Sequence, residues 1–184
     1  MPLKDDGILS INREVGNKHH IAIALKDLGA IAQSQDDYKR ATSLLEESLV
    51  LSREIGDKQI IAYALVELSV VVYRQGAYRR AEALLEESLF LNQDRGDKWN
   101  MIGSLGLFAM VACSQGHHER AARLFGAEEA LQEAIGAPRS EYTEQERDLA
   151  AMRAGLGEEK FAKVWAEGRA MTLEQAIAYV MKPE

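Results

Sequence analysis

The sequence predicts an all-α protein made of stacked helix pairs, and two observations favour this fold class. Glycine recurs with a spacing of 40 residues, which indicates an internal repeat about as long as one helix pair. No proline lies between residues 3 and 137, so nothing in this stretch breaks a helix on backbone grounds. One helix pair cannot bury its apolar stripe alone, and stacked copies therefore share a core in a curved solenoid. The recurring glycines are Gly16, Gly56, Gly96 and Gly136.

The repeats are expected to contain two helices each, because apolar residues recur at steps of three and four on both sides of a central turn. Repeat 1 covers residues 16–55, repeat 2 covers 56–95 and repeat 3 covers 96–135. In repeat 2 the two apolar stripes are Ile61, Leu65, Leu68 and Val72, followed by Ala81, Leu84, Leu85, Leu89 and Leu91.

The turns between helices carry their own signals. Glycine at a helix end supplies a left-handed residue, and the following Asp caps the next helix, as at Gly56-Asp57 and Gly96-Asp97. Asp36 replaces the glycine that repeat 2 has at position 76, and the turn remains feasible because Asp tolerates a positive φ.

The repeats resemble the tetratricopeptide repeat in a 40-residue form. In repeat 1 the signature falls on Leu25, Leu28, Gly29, Ala32, Ala41, Leu45 and Ser48, and similar residues recur in repeats 2 and 3. The tryptophan usual in this signature is Leu in all three repeats. The resemblance implies a right-handed α-α superhelix, a tetratricopeptide-like solenoid whose groove is lined by the first helix of each repeat.

Both ends of the array depart from the repeat. Residues 8–15 align with the end of repeat 1 and predict a half-repeat helix, either a short cap or the remainder of a longer repeat protein. Residues 139–184 predict C-terminal capping helices. The whole chain, residues 1–184, is expected to form a single repeat domain.

The C-terminal cap is predicted to contain helices at residues 141–154, 158–167 and 173–181. Thr172 and Gln175 are spaced as a capping box for the last of these helices.

Residues 115–181 resemble the closing region of bacterial signalling ATPases and LuxR-type regulators, in which a nucleotide switch precedes repeats that hold a partner. The motifs that carry the resemblance lie at residues 121–131, 135–138, 153–157 and 165–171. The chain has neither the Gly-x-x-x-x-Gly-Lys-Ser/Thr loop that cradles phosphate nor a recognisable DNA-reading helix-turn-helix, so it is not expected to hydrolyse nucleotide itself.

The resemblance assigns the groove to an unusually apolar surface, and such surfaces are typical of interfaces. The predicted partner is a protein or peptide lying in the groove as a helix, or a second copy of the chain in a homodimer. Alternatively, the chain's own last helix fills the groove with Ile177, Tyr179, Val180 and Met181. The predicted groove residues are Ile23, Lys26, Ala30, Gln33, Tyr63, Val66, Val70, Tyr73, Gly103, Gly106, Met110 and Cys113.

Composition and charge argue against nucleic-acid and membrane partners. The net charge is -7 and no cluster of Lys and Arg occurs, which argues against a direct nucleic-acid partner. No apolar run is long enough to cross a bilayer, so no membrane partner is expected. The single Cys113 and the lack of a signal peptide favour a reducing, cytoplasmic location.

No catalytic residue, metal site or cofactor is predicted. The pairs His19-His20 and His117-His118 lie in turns at opposite edges of a solenoid, too far apart to share one metal ion. The pairs Glu46-Glu47 and Glu86-Glu87 are expected on the solvated outer face, helped by Arg40 and Arg80. Cys113 lies on an apolar helix and is expected to be buried rather than a reactive thiolate.

The sequence therefore predicts a non-enzymatic interaction and assembly module. The alternative is a sensor of small molecules, with a ligand held between Tyr63, Tyr73 and Met110.

Overall fold

The computed structural model describes residue 14, residues 16–136 and residues 145–182. This part of the chain is helical and contains no strand, which confirms the predicted all-α, helical-repeat fold class. The half-repeat helix predicted at residues 8–15 lies outside the described residues except for Glu14, and residues 141–144 of the first predicted cap helix also lie outside them. The chain divides into two compact halves, an N-terminal half of residues 1–96 and a C-terminal half of residues 97–184.

The helices of the N-terminal half are α1 (Lys18–Ser34), α2 (Tyr38–Ile55), α3 (Lys58–Arg74) and α4 (Tyr78–Arg95). The helices of the C-terminal half are α5 (Lys98–Ser114), α6 (His118–Ala134), α7 (Gln145–Leu156), α8 (Glu158–Arg169) and α9 (Leu173–Val180).

The N-terminal half contains two helix pairs with the same internal packing. Helix α1 packs on α2, α3 packs on α4, and α2 joins the pairs by packing on α3. Ser48 donates a hydrogen bond to the Ala22 carbonyl at 2.7 Å, and Ser88 donates to the Ala62 carbonyl at 3.0 Å. The two bonds join the same positions of repeats 1 and 2, so the repeat extends to buried polar contacts. The largest fully buried side chains of this half are Leu25, Leu45, Leu65, Leu68, Leu85 and Leu89.

The predicted turn chemistry is confirmed. Gly56 ends α2 with a left-handed φ of 70°, and the Asp57 side chain accepts hydrogen bonds from the first backbone N–H groups of α3. Gly96 and Asp97 repeat this arrangement between α4 and α5. Asp36 adopts a φ of 59°, so Asp performs there the role that glycine has in the other repeats.

Ion pairs link the outer surfaces of α2 and α4. Arg80 donates to Glu46 at 2.7 Å, as the sequence suggested, and Glu87 accepts from Arg53 at 2.7 Å, a partner that the sequence analysis did not name. All four side chains are about half exposed. Such pairs contribute little to stability individually, at most about 1 kcal/mol each.

In the C-terminal half, α5 is buried on nearly all sides because helices surround it. Helix α6 pairs with α5, while α7 and α9 contact α5 elsewhere on its surface. Helix α5 has an apolar sequence without a charged residue after Lys98, which suits this surrounded position.

Helices α6 and α8 cross at two glycines. A Cβ atom on Gly168 would lie 2.0 Å from the Arg123 carbonyl oxygen, and one on Gly126 would lie 2.4 Å from the Trp165 carbonyl oxygen. Only glycine permits this approach, because any larger residue would meet backbone atoms of the facing helix.

The last helix begins with the predicted capping box. The Thr172 hydroxyl accepts from the Gln175 backbone N–H at 3.2 Å, and the Gln175 side chain accepts from the Thr172 backbone N–H at 2.9 Å. Helix α9 is held on α6 by Arg120, which donates to the Val180 carbonyl, and by Arg123, which donates to the Tyr179 hydroxyl.

Candidate functional site

The predicted groove residues of repeats 1 and 2 lie on α1 and α3, the first helices of their pairs, which contact each other. All eight residues are half-buried, so each has part of its side chain accessible. Their spacing of three and four places them on one face of each helix. We call this surface the α1–α3 groove, formed by Ile23, Lys26, Ala30, Gln33, Tyr63, Val66, Val70 and Tyr73.

The α1–α3 groove is apolar along most of its length and charged at one place. Lys26 donates to Asp27 at 2.5 Å, and only 23% of the Lys26 side chain is exposed. Glu67 lies on the same face of α3 as Val66 and Val70 and is half-buried. Burial raises the pKa of Glu67 above its ordinary value; Lys26 opposes this increase in the pKa and Asp27 adds to it.

Glu67 lies beside the α1–α3 groove, and the sequence did not single it out. Its spacing of four from Tyr63 and three from Val70 would have placed it on the groove face of α3. The sequence pattern alone did not indicate that this carboxylate is removed from water, because its burial depends on packing between helices that are 40 residues apart.

The predicted groove residues of repeat 3 lie in different surroundings. Gly106, Met110 and Cys113 are buried inside the C-terminal half, whereas Gly103 is half-buried. A Cβ atom on Gly106 would lie 2.4 Å from the carboxylate oxygens of Glu128 on α6. These three buried residues are therefore not part of an open surface, and we correct their assignment to an accessible groove.

The last helix, which the alternative interpretation placed in the groove, packs on two helices of the C-terminal half. Ile177 and Val180 are buried, and α9 packs on α5 and α6. Tyr179 lies beneath the guanidinium groups of Arg120 and Arg123, at 5.3 and 5.5 Å from the ring centre. Met181, which was also named as a groove-filling residue, remains 48% exposed.

The residues of the alternative small-molecule site are not equally accessible. Met110 is 4% exposed in the core of the C-terminal half. Tyr63 and Tyr73 are half-buried on α3, and the Tyr73 ring contacts the Tyr78 ring with centres 5.8 Å apart. A ligand at the α1–α3 groove would therefore meet tyrosines without the help of Met110.

Cys113 is buried as predicted. Its sulfur donates to the Asp148 carbonyl oxygen of α7 at 3.8 Å. Burial, followed by the charge of Asp148, raises the pKa of the Cys113 thiol to about 11. At neutral pH the residue is a protonated thiol, which is a poor nucleophile.

The histidine pairs lie at helix beginnings. The Nδ1 atom of His19 is 3.2 Å from the Asp57 carboxylate, and the His118 ring packs against Gly155 of α7. Across the described ranges, no group of three or more His, Cys, Asp or Glu residues is arranged to hold a metal ion. Nor does any helix in these ranges combine the length and the apolar character that crossing a membrane requires.

Comparison with protein families adds to this description. The family model described as tetratricopeptide repeat matches residues 20–94, which include almost all of α1 to α4. This match supports a tetratricopeptide repeat protein. The matched region includes all eight residues of the α1–α3 groove. A search of curated proteins finds no match to the chain.

Proposed function

We propose that the chain is a non-enzymatic interaction and assembly module that binds a peptide or helix of another protein along the α1–α3 groove. Tetratricopeptide repeats generally mediate protein–protein interaction and are typically non-catalytic, which supports this class of function. The single observation that carries the proposal is the half-buried apolar stripe of α1 and α3, which includes Val66 and Val70. An amphipathic segment buries its apolar face in a groove of this kind.

The groove is long enough for a short peptide. Helices α1 and α3 contain 17 residues each, and a helix of this length measures about 25 Å. An extended chain spans that distance with about eight residues, at roughly 3.3 Å per residue. Random displayed peptides of about twelve residues therefore suffice to cover the groove.

The experiment selects such peptides on the full chain and measures the dissociation constant of the best binder for two variants. Val70→Asp places a charge in the groove and is expected to abolish binding, because the carboxylate would have to be desolvated. Val50→Asp is the matched control, since Val50 is 56% exposed on the outer face of α2. Circular dichroism checks that both variants remain helical. A selection without any enriched binder, or equal losses in both variants, would contradict the proposal.

A second copy of the chain is the alternative occupant of the groove, and light scattering distinguishes it from an external partner. A dimer that Val70→Asp converts into a monomer would assign the groove to self-association. A monomer for both the native chain and the variant supports an external partner.

We also infer that the chain derives from the repeat region of a bacterial signalling or transcriptional regulator and acts in the cytoplasm. The support is the resemblance of residues 115–181, whose motifs contain Gly126 and Gly168, the two glycines at the α6–α8 crossing. Sequencing the coding region upstream tests this origin. An in-frame phosphate-binding loop would support the inference, and a different type of domain there would contradict it.

A further inference from the structure

The α1–α3 groove has an excess of negative charge at its one charged place. The groove includes the ammonium group of Lys26, and the carboxylates of Asp27 and Glu67 lie beside it. Lys26 is already engaged by Asp27, its neighbour on the same helix, at 2.5 Å. Glu67 forms no ion pair or side-chain hydrogen bond with any described residue.

Glu67 is therefore a half-buried carboxylate that has lost part of its hydration and has no ion-pair or hydrogen-bond partner among the described residues. Removing a charged group from water costs free energy unless a cation or a hydrogen-bond donor replaces the water. The raised pKa of Glu67 reports this cost, since burial is its largest cause and the attraction of Lys26 does not offset it. A cation from a bound partner would stabilise the ionised carboxylate.

We propose that the segment bound in the α1–α3 groove carries a lysine or arginine that pairs with Glu67. The inference rests on the proposed function and names the chemistry of the partner: a basic, amphipathic peptide. An acidic segment fits poorly, because the one groove cation is held by Asp27 and two carboxylates would repel it.

The test uses the same displayed peptides, selected on the full chain. The expected result is enrichment of peptides with a Lys or Arg among apolar residues. The dissociation constant of the best synthetic peptide is then measured for the native chain, Glu67→Gln and Glu86→Gln. Glu86 is exposed on the outer face of α4, so its variant makes the same charge change away from the groove.

Glu67→Gln is expected to weaken binding of the basic peptide roughly tenfold or more, because hydrogen bonds to charged groups contribute about 1.5–3 kcal/mol. Glu86→Gln is expected to leave it unchanged. A peptide whose basic residue is replaced by glutamine should bind both variants and the native chain almost equally, since it has no charge to lose.

The outcomes separate the two proposals. Enrichment of acidic or uncharged peptides, or equal affinity of the basic peptide for Glu67→Gln and the native chain, would overturn the inference while the groove remained a peptide site. If no peptide binds, or binding is insensitive to Val70→Asp, the groove function itself fails, and the inference fails with it.

Discussion

Replacing Gly168 by alanine should separate helices α6 and α8. The new Cβ atom would lie 2.0 Å from the Arg123 carbonyl oxygen, whereas carbon and oxygen atoms in contact are normally at least about 3.3 Å apart. The helices must therefore move by about 1.3 Å or distort locally. The obstacle is backbone, which cannot rotate away, so the cost falls at the upper end of the range for overpacking, about 3 kcal/mol.

Part of this cost is offset, because alanine favours a helix over glycine by about 1 kcal/mol. The net loss is about 2 kcal/mol in the free energy of unfolding, or a fall of about 4–8 °C in Tm for a chain of this size. Urea denaturation and thermal melting followed by circular dichroism measure both quantities.

Gly103 provides the matched control because it is also a helical glycine. No atom lies within 4 Å of a Cβ built at this position. Gly103→Ala should therefore show only the gain in helix propensity and raise Tm by about 2–4 °C. The reasoning is refuted if Gly168→Ala is as stable as the native chain, or if both alanine variants lose stability equally.

Three further predictions concern charged and titratable side chains. Arg123→Ala should lower the free energy of unfolding by about 1.5–3 kcal/mol, because Arg123 is half-buried and donates to Tyr179, Glu119 and Glu167. The control Arg53→Ala removes an exposed ion pair and should cost at most about 1 kcal/mol, so equal losses of the two variants in urea denaturation would refute the prediction. Native Cys113 should react with iodoacetamide slowly at about pH 8, and the rate of alkylation should rise with pH towards a midpoint near the thiol pKa of about 11. A midpoint at the ordinary thiol pKa of 9.0 would show that the sulfur is not buried. Glu67→Gln should stabilise the chain at about pH 7, because the raised pKa of Glu67 means that the native chain loses stability as pH rises from the unfolded pKa through the folded pKa. Urea denaturation should show that the advantage of the variant vanishes as pH falls below the ordinary pKa of 4.5, and a pH-independent difference would contradict this explanation.

The helix pairs and their turns were predictable because their causes are local in the chain. An apolar residue every three or four positions defines a helical stripe, and glycine followed by Asp ends one helix and begins the next. Gly56-Asp57 behaves in this way, and so does Asp36 with its positive φ. The capping box of Thr172 and Gln175 was equally predictable, since its two hydrogen bonds join residues three apart.

The candidate site was only partly predictable. The eight residues of the α1–α3 groove follow from the resemblance to tetratricopeptide repeats, and the structure finds all of them half-buried. Whether they bind a partner stays a prediction. The same resemblance assigned Met110 and Cys113 to a groove, but α6, α7 and α9 surround α5 and these residues are buried. A repeat pattern describes what one copy shares with the next, and it cannot show which later helix covers the last copy.

The sequence by itself therefore determined the all-α class, the 40-residue period and the chemistry of the turns, because each is encoded by neighbouring residues. Only the tertiary structure decided which faces remain accessible, which carboxylate loses its water and where two glycines let helices touch. Glu67 and the Gly126–Gly168 crossing are examples, since both depend on residues about 40 positions apart in the chain. Burial and desolvation arise when distant segments exclude water between them, and periodicity along one helix does not contain that information.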